Sequence, residues 1–288
     1  MARKRSNIPG GESPPRKHYS IPRGTRTLIT LHTIASGSEG NCLLLTAGET
    51  HILVDAGISC RRINAALAAL GLSMADVDAV CVTHEHSDHI SGLQTMVRRY
   101  DVPICTGPAT ARQLQYRIAG IAPRLRAVEG AFRVGGVTIT PFPTSHDVSG
   151  GMDYRFDCGG AGVGVLTDTG CVTDEAREVL RGVELLVLES NHDVEWLRSG
   201  LYPYPLKARI LSDRGHLSND AAAAFAAEMA SWGTRQFVLA HLSRENNTPQ
   251  RAWDTVSAAL TGYDVTVTVA PRGELSQPFV AEGTLCRR

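Results

Sequence analysis

The stretch Thr83-His84-Glu85-His86-Ser87-Asp88-His89 places three imidazoles and an aspartate within six residues. Neutral imidazole nitrogens and a carboxylate suit zinc, manganese or iron, and a segment delivering four such donors can build a metal site. A solvated polar loop has no need of a His-x-His-x-Asp-His spacing. Further polar residues end apolar runs downstream: Thr144-Ser145-His146-Asp147 after residues 137–143, Thr167-Asp168-Thr169-Gly170 after 163–166, and His241-Leu242-Ser243 after 237–240. A lone histidine at a strand end is ordinarily a hydrogen-bonded structural residue. Four such clusters together supply seven donors (His84, His86, Asp88, His89, His146, Asp168 and His241), enough for two cations.

The elements needed to bring these groups together are legible in the apolar periodicity. The run 77–82 reads as a buried strand and 88–100 as an amphipathic helix, so the histidine cluster occupies a strand-to-helix turn. Upstream, short apolar runs at 27–35, 42–46 and 51–54 are separated by Gly/Ser/Asn-rich turns and read as a meander, followed by a helix at 59–70 that ends at Gly71. Downstream, the pattern predicts strands at 102–105, 132–142, 153–158, 162–166, 184–189, 235–242 and 265–270. Helices are expected at 109–118, 173–181, 206–213, 219–231 and 249–260. Two halves of similar element order predict a four-layer αββα sandwich, with two mixed sheets inside and helices outside. In such folds ligand-binding groups gather at the carboxyl ends of strands.

Composition narrows the classes further. Hydrophobic residues make up 43% of the 288 and charged residues 20%, which permits a sizeable core and excludes global disorder. The formal charge is zero but divided. Residues 1–26 hold seven basic residues against Glu12 alone, a charge of +6, so the remainder carries −6. This Pro/Gly/Ser-containing segment reads as a basic, disordered tail, able to reach an anionic polymer or simply solvated, ahead of one hydrolase domain over 27–288. Seven cysteines without a Cys-x-x-Cys pair, no secretory signal after Met1 and no apolar run long enough to span a bilayer predict a cytoplasmic protein without a membrane partner.

His84-x-His86-x-Asp88-His89 with His146, Asp168 and His241 resembles the metal motifs of the metallo-β-lactamase superfamily of binuclear hydrolases. The segments around Ser36–Cys42, Glu189-Ser-Asn-His-Asp193, Gly215-His-Leu-Ser-Asn219 and Ala240-His-Leu-Ser-Arg-Glu-Asn-Asn247 resemble its YycJ/WalJ-like subfamily. The likeness runs from about residue 31 to 270. It departs after His146-Asp147, where Gly151 and Asp153 stand at the Pro and Gly positions of a Pro-x-Gly-Tyr segment, which touches the adjacent pocket and not the metals. The resemblance implies one divalent ion on His84, His86 and His146, a second on Asp88, His89 and His241, and Asp168 between them. It also implies a buttressing role for Asp55, which ends the run 52–54.

Two cations in such an arrangement hold a bridging hydroxide, polarise a phosphodiester and stabilise its leaving oxygen. Asp88 would orient that hydroxide. His216, just ahead of the alanine-rich helix, is the candidate proton donor. Asn191, His192, Ser218 and Asn219 are candidate substrate contacts, with plain helix capping the alternative for the last two. The expected activity is a metal-dependent phosphodiesterase, foremost a DNA exonuclease as the subfamily resemblance implies. A small-molecule cyclic phosphodiesterase is the alternative, mildly favoured by the acidic body. Lactone or thioester hydrolysis and a non-catalytic scaffold rank below these.

Overall fold

The computed structural model describes residues 28–283, so the expected tail at 1–26 lies outside the described residues. The chain opens on the meander β1 (Leu28–Ala35), β2 (Cys42–Ala47) and β3 (Thr50–Val54). Helix α1 (Cys60–Ala69) then leads to β4 (Ala79–Cys81) and two short helices, α2 (Ser87–Ile90) and α3 (Leu93–Arg99). β5 (Ile104–Thr106), α4 (Pro108–Arg117) and β6 (Leu125–Ala127) complete this half. The second half runs β7 (Phe132–Val134), β8 (Val137–Pro143), β9 (Met152–Cys158), β10 (Ala161–Leu166), α5 (Asp174–Leu180) and β11 (Leu185–Glu189). Helices α6 (Val194–Ser199), α7 (Tyr204–Ile210) and α8 (Asn219–Ser231) precede β12 (Gln236–Ala240). Then come α9 (Pro249–Ala259), β13 (Thr266–Val269) and β14 (Phe279–Glu282).

The strands form two seven-stranded mixed sheets, ordered β14-β1-β2-β3-β4-β5-β6 and β13-β12-β11-β10-β9-β8-β7. In both, an antiparallel part joins a parallel part, the latter β3 to β6 in one sheet and β10 to β13 in the other. Side chains alternate across each strand, so one sheet serves two cores. Leu43 and Leu45 of β2 face the space between the sheets, with Tyr154, Phe156, Val163 and Val187 of the opposite sheet. Leu44, between them, faces outward with Leu53 and Val80 onto Ile63 and Leu67 of α1 and Met96 of α3. On the far side, Leu186 and Leu188 pack on Phe225, Ala226 and Met229 of α8 and Val256 of α9. This is the expected αββα sandwich, with helices outside both sheets. Among the described residues no helix is long and apolar enough to cross a membrane.

Two expected elements are divided, each at glycine. The helix expected over 88–100 is α2 and α3, broken at Ser91-Gly92. There the Gly92 N–H donates to Ala56 O at 2.8 Å, and a Cβ would lie 2.4 Å from Ile58 O. The strand expected over 132–142 is the hairpin β7–β8, turned at Gly135 with φ +52°. β6, α6 and β14 were not expected; each is short, and β14 exists by pairing with the edge of β1.

The loop after β3 is clamped against the histidine cluster. Asn41 N–H donates to Asp88 O at 2.7 Å, and Gly57 N–H donates to Asn41 O at 2.8 Å. A Cβ on Gly57 would fall 1.5 Å from Asp88 O, a contact between two backbones that no side-chain adjustment relieves. Gly57→Ala is therefore expected to lower stability by about 3 kcal/mol, the upper range for overpacking, read as a lower urea midpoint. An unchanged midpoint would mean that this clamp is not rigid.

Candidate metal centre

Six strands deliver the polar residues from their carboxyl ends. Asp55 follows β3, the histidine cluster follows β4, His146 follows β8, Asp168 follows β10, Glu189 ends β11, and His241 follows β12. Asp55, Asp168 and His241 have positive φ (61°, 50° and 55°) and are the non-glycine residues with that geometry among the described residues. Asp and His tolerate the left-handed region better than most residues, yet each instance costs on the order of 1 kcal/mol or more. Three such residues at three strand ends turn the chain sharply, aiming Asp168 and His241 into one cleft and Asp55 at the His89 ring behind it.

The imidazoles are held in defined tautomers. Asp55 accepts from the Thr83 N–H (2.9 Å), from Thr83 Oγ1 (2.9 Å) and from His89 Nδ1 (2.8 Å), so the proton of His89 sits on Nδ1 and its Nε2 faces the cleft, where Asn41 Nδ2 lies 3.1 Å away. With its hydrogen given to Asp55, the Thr83 hydroxyl accepts from His84 Nδ1 at 3.0 Å, which frees His84 Nε2. His146 Nδ1 donates to Gly215 O at 3.0 Å. Glu189, fully buried, accepts from His241 Nδ1 (2.8 Å) and His216 Nδ1 (2.9 Å) on one oxygen, and from the Thr169 and Leu217 N–H groups on the other. Both of those rings therefore also turn Nε2 toward the cleft.

The free donors converge as two triads. Ligand atoms of His84, His86 and His146 lie within 4.8 Å of one another, as do those of Asp88, His89 and His241. Asp168 groups with His84 and His89 and, separately, with His241, and so stands between the triads. His84 Nε2, His241 Nε2 and Asp168 Oδ2 are buried without a hydrogen-bond partner. His89 Nε2 contacts that Asp168 oxygen at 3.1 Å without hydrogen-bond alignment. Buried polar atoms are rarely left orphaned. Orphans on two imidazoles and a carboxylate, all pointing to one place, fit divalent cations of the zinc and manganese type.

The electrostatics agree with that fit. Burial disfavours charge on Asp168, but the His241 and His89 imidazoles outweigh it and hold the carboxyl well below its usual range. Burial likewise works against a charged Asp88, and the neighbouring His241 and His89 imidazoles lower it nonetheless. Burial also opposes charge on His241, yet Asp168, Asp88 and Glu189 push it up to about 10. The carboxylates thus remain anionic and pull positive charge into the cleft, as they would for a metal ion.

These groups line a cavity of about 270 Å³, with His86, Asp88, His146, Asp168, His216 and His241 on its floor. Of the expected substrate contacts, Asn191 lines it, anchored by Nδ2 to His241 O at 2.8 Å. The other three do not. Asn219 is 1% exposed and locked to Ser190 and Asn247, Ser218 caps α8 by accepting from Ala221 N–H, and His192 is 1% exposed outside the cavity wall. Capping and packing have claimed them. The substituted third motif leaves the donors alone: Asp153 is fully buried, where desolvation raises its carboxyl well above the usual range. Residues not foreseen as part of the site include Glu189 and the wall from α7, Leu206, Arg209 and Ile210, with Tyr202 beside it. A carboxylate closing the run of five buried residues 185–189 was the available signal for Glu189, since a buried strand seldom ends in an unpaired charge.

A beta-lactamase superfamily domain model matches residues 50–242. The chain belongs to the metallo-β-lactamase superfamily. It is 39% identical over 230 residues to exodeoxyribonuclease YycJ of Bacillus anthracis, covering 79% of this chain and 87% of that one. It is 35% identical over 241 residues to exodeoxyribonuclease WalJ of Streptococcus pneumoniae, covering 82% and 90%. A solved structure, the metallo-β-lactamase fold protein YhfI of Bacillus subtilis, superposes with TM-score 0.66 at 22% identity, over 89% of this chain and all of that one. This superfamily member is a hydrolase, with a His/Asp centre that suits divalent metal.

Removing a partner that fixes ligand tautomers typically costs 10–100-fold in metal affinity. Glu189 has four donors on its two oxygens and none to spare for a cation, so it acts as an orienting group. Glu189→Gln is expected to weaken zinc binding by about that factor in a chelator competition titration, with the fold retained by circular dichroism. Unchanged affinity would remove Glu189 from the centre.

Proposed function

We propose that this protein is a binuclear metal-dependent phosphodiesterase that removes nucleotides from DNA ends. The observation that carries the reading is the convergence of two donor triads on either side of Asp168, in one open cavity. The names of YycJ and WalJ as exodeoxyribonucleases support DNA as the substrate. In this reading His84, His86 and His146 would hold one ion and Asp88, His89 and His241 the other, with Asp168 near enough to both groups to serve either. Zinc or manganese suits the donors, and iron is also compatible. Two bound divalent ions supply activation of water at neutral pH and neutralisation of the phosphate charge. The free cysteines, Cys42, Cys60, Cys81, Cys105, Cys158 and Cys171, support action in the reducing cytoplasm. Residues 28–283 act as one hydrolase domain.

The chain's own side chains complete the chemistry. Asp88 Oδ2 lies 3.5 Å from His89 Nε2 and 3.6 Å from His241 Nε2, and its carboxylate can accept a hydrogen bond from the attacking water and orient it. His216 presents Nε2 to the cavity because Glu189 holds its Nδ1. Burial lowers its basicity, but the Glu189 carboxylate more than compensates and raises it, which favours a protonated ring. As the P–O bond breaks, His216 Nε2 gives its proton to the departing sugar oxygen. Asn191, on the cavity wall, would contact the bound phosphodiester.

The test is nucleotide release from end-labelled linear duplex DNA with added manganese or zinc, with a His86→Ala, Asp168→Ala double variant as control. Degradation that the double variant abolishes is the expected result. DNA left intact while bis-para-nitrophenyl phosphate is cleaved would replace this reading with a small-molecule phosphodiesterase. His216→Ala should slow DNA cleavage by about 100-fold or more, the range for general acid–base catalysis. It should slow release of para-nitrophenolate, a leaving group that needs no proton, far less. Equal losses on both substrates would remove His216 from the proton-donor role.

A further inference from the structure

Next to the metal cavity, on the opposite side of the loop between β1 and β2, lies a second cavity of about 80 Å³. It is lined by Ser36, Gly37, Glu39, Gly40, Arg62, Arg272 and Gly273. The two cavities share that loop as a wall: Ser38 faces the metals, while its neighbours Gly37 and Glu39 face the second space. The loop is itself tied to the centre. Ser36 Oγ accepts from His241 N–H at 2.8 Å, and Asn41 Nδ2 lies 3.1 Å from His89 Nε2.

Two arginines face this space from separate elements, Arg62 from α1 and Arg272 from the segment after β13. Arg62 donates to Gly273 O at 3.2 Å and Arg272 to Ser243 O at 2.9 Å. Each tether uses one of five guanidinium N–H groups, and neither arginine has a carboxylate partner among the described residues. The acid of the cleft, Glu39, is engaged by Arg244 at 2.8 Å. Two positioned, un-neutralised guanidinium groups in a cavity of this size on an otherwise acidic body favour a tetrahedral dianion or monoanion. Ser243, which anchors Arg272 by its carbonyl, also lines the metal cavity, so the two anion positions are neighbours.

We infer that the Arg62–Arg272 cleft is a second phosphate subsite, holding the backbone phosphate next to the one at the metals. The inference rests on the nuclease reading above and deepens it: a substrate with consecutive phosphates engages both cavities, and a lone phosphodiester only one. The cleft thereby selects polymer over small ester, although the folded body is formally acidic.

The test is binding of a fluorescent single-stranded phosphorothioate oligonucleotide, which resists cleavage, to the metal-loaded full chain across a salt series. Arg62→Ala with Arg272→Ala is expected to weaken binding about tenfold, the size of one lost charge-assisted contact. The slope of log affinity against log salt should fall by about 0.7, the value for one phosphate on a single strand. Arg62→Lys with Arg272→Lys, which keeps both charges, should preserve most of that slope and guards against a folding defect. Identical affinity and slope in wild type and the alanine variant, or no binding by wild type, would overturn the subsite. Wild-type protein that binds through the cleft yet leaves DNA intact with metal would instead overturn the nuclease reading and leave the subsite standing.

Discussion

Charge neutrality inside a buried cleft is the constraint on which this molecule turns. Asp55, Asp88, Asp168 and Glu189 bring four carboxylates within reach of the same imidazoles, and three of them are almost wholly buried. An unpaired buried carboxylate is too costly to persist, and apolar packing cannot neutralise it. Without cations the charge must be met by protons on histidines, which is the direction in which His89 and His241 are driven. Two divalent ions would balance four carboxylates and leave every imidazole neutral, the form that ligates. The same carboxylates that build the centre would destabilise the fold if nothing positive entered it. Metal binding and folding are therefore coupled in the chemistry proposed here.

Holding those groups still requires a backbone that most sequences would not adopt. Left-handed residues at Asp55, Asp168 and His241 store strain, and the two sheets with their three apolar cores supply the rigidity that keeps it. Close backbone contacts at Gly57 and Gly92 lock the loop after β3 onto the cluster after β4. Asp55 then serves two ends: it receives Thr83 and His89 through its side chain, and its own N–H donates to Cys81 O. Site geometry and sheet geometry are in this sense one structure, because the residues that aim the ligands also close the strand ends.

The donors were legible because their chemistry is rare and their spacing fixed: a His-x-His-x-Asp-His turn after an apolar strand has few other uses. The sandwich was legible because its strands are continuous apolar runs and its helices carry an apolar stripe. Three things were less visible. Elements of three or four residues such as β6 and β14 carry too little periodicity and exist by pairing with a neighbour. The break at Gly92 is set by Ala56 and Ile58, far away in sequence. Glu189 reads in the chain as the last residue of a strand, and its role emerges once β12 brings His241 and the α7–α8 connection brings His216 to the same oxygen. Ser218 and Asn219 show the reverse case, where residue types suited to substrate contact are consumed by capping and by the Asn219–Asn247 pair.

The acidic balance of the body does not decide against a polyanionic substrate. At physiological ionic strength the screening length is about 8 Å, so charges spread over the far faces of the sandwich are weakly felt at the cavity mouth. What counts is what stands at the rim. Arg209 projects from α7 over the metal cavity and pairs with Asp147, whose other oxygen lies 3.4 Å from His146 Nε2. An anion entering the cavity competes with Asp147 for that guanidinium, so substrate binding can exchange one ion pair for another without creating a new buried charge. The rim thus offers a guanidinium where a phosphate would enter, while the floor is anionic where a metal would sit. A local dipole of charge of this kind is compatible with a body of either net sign, so total charge alone does not decide the substrate.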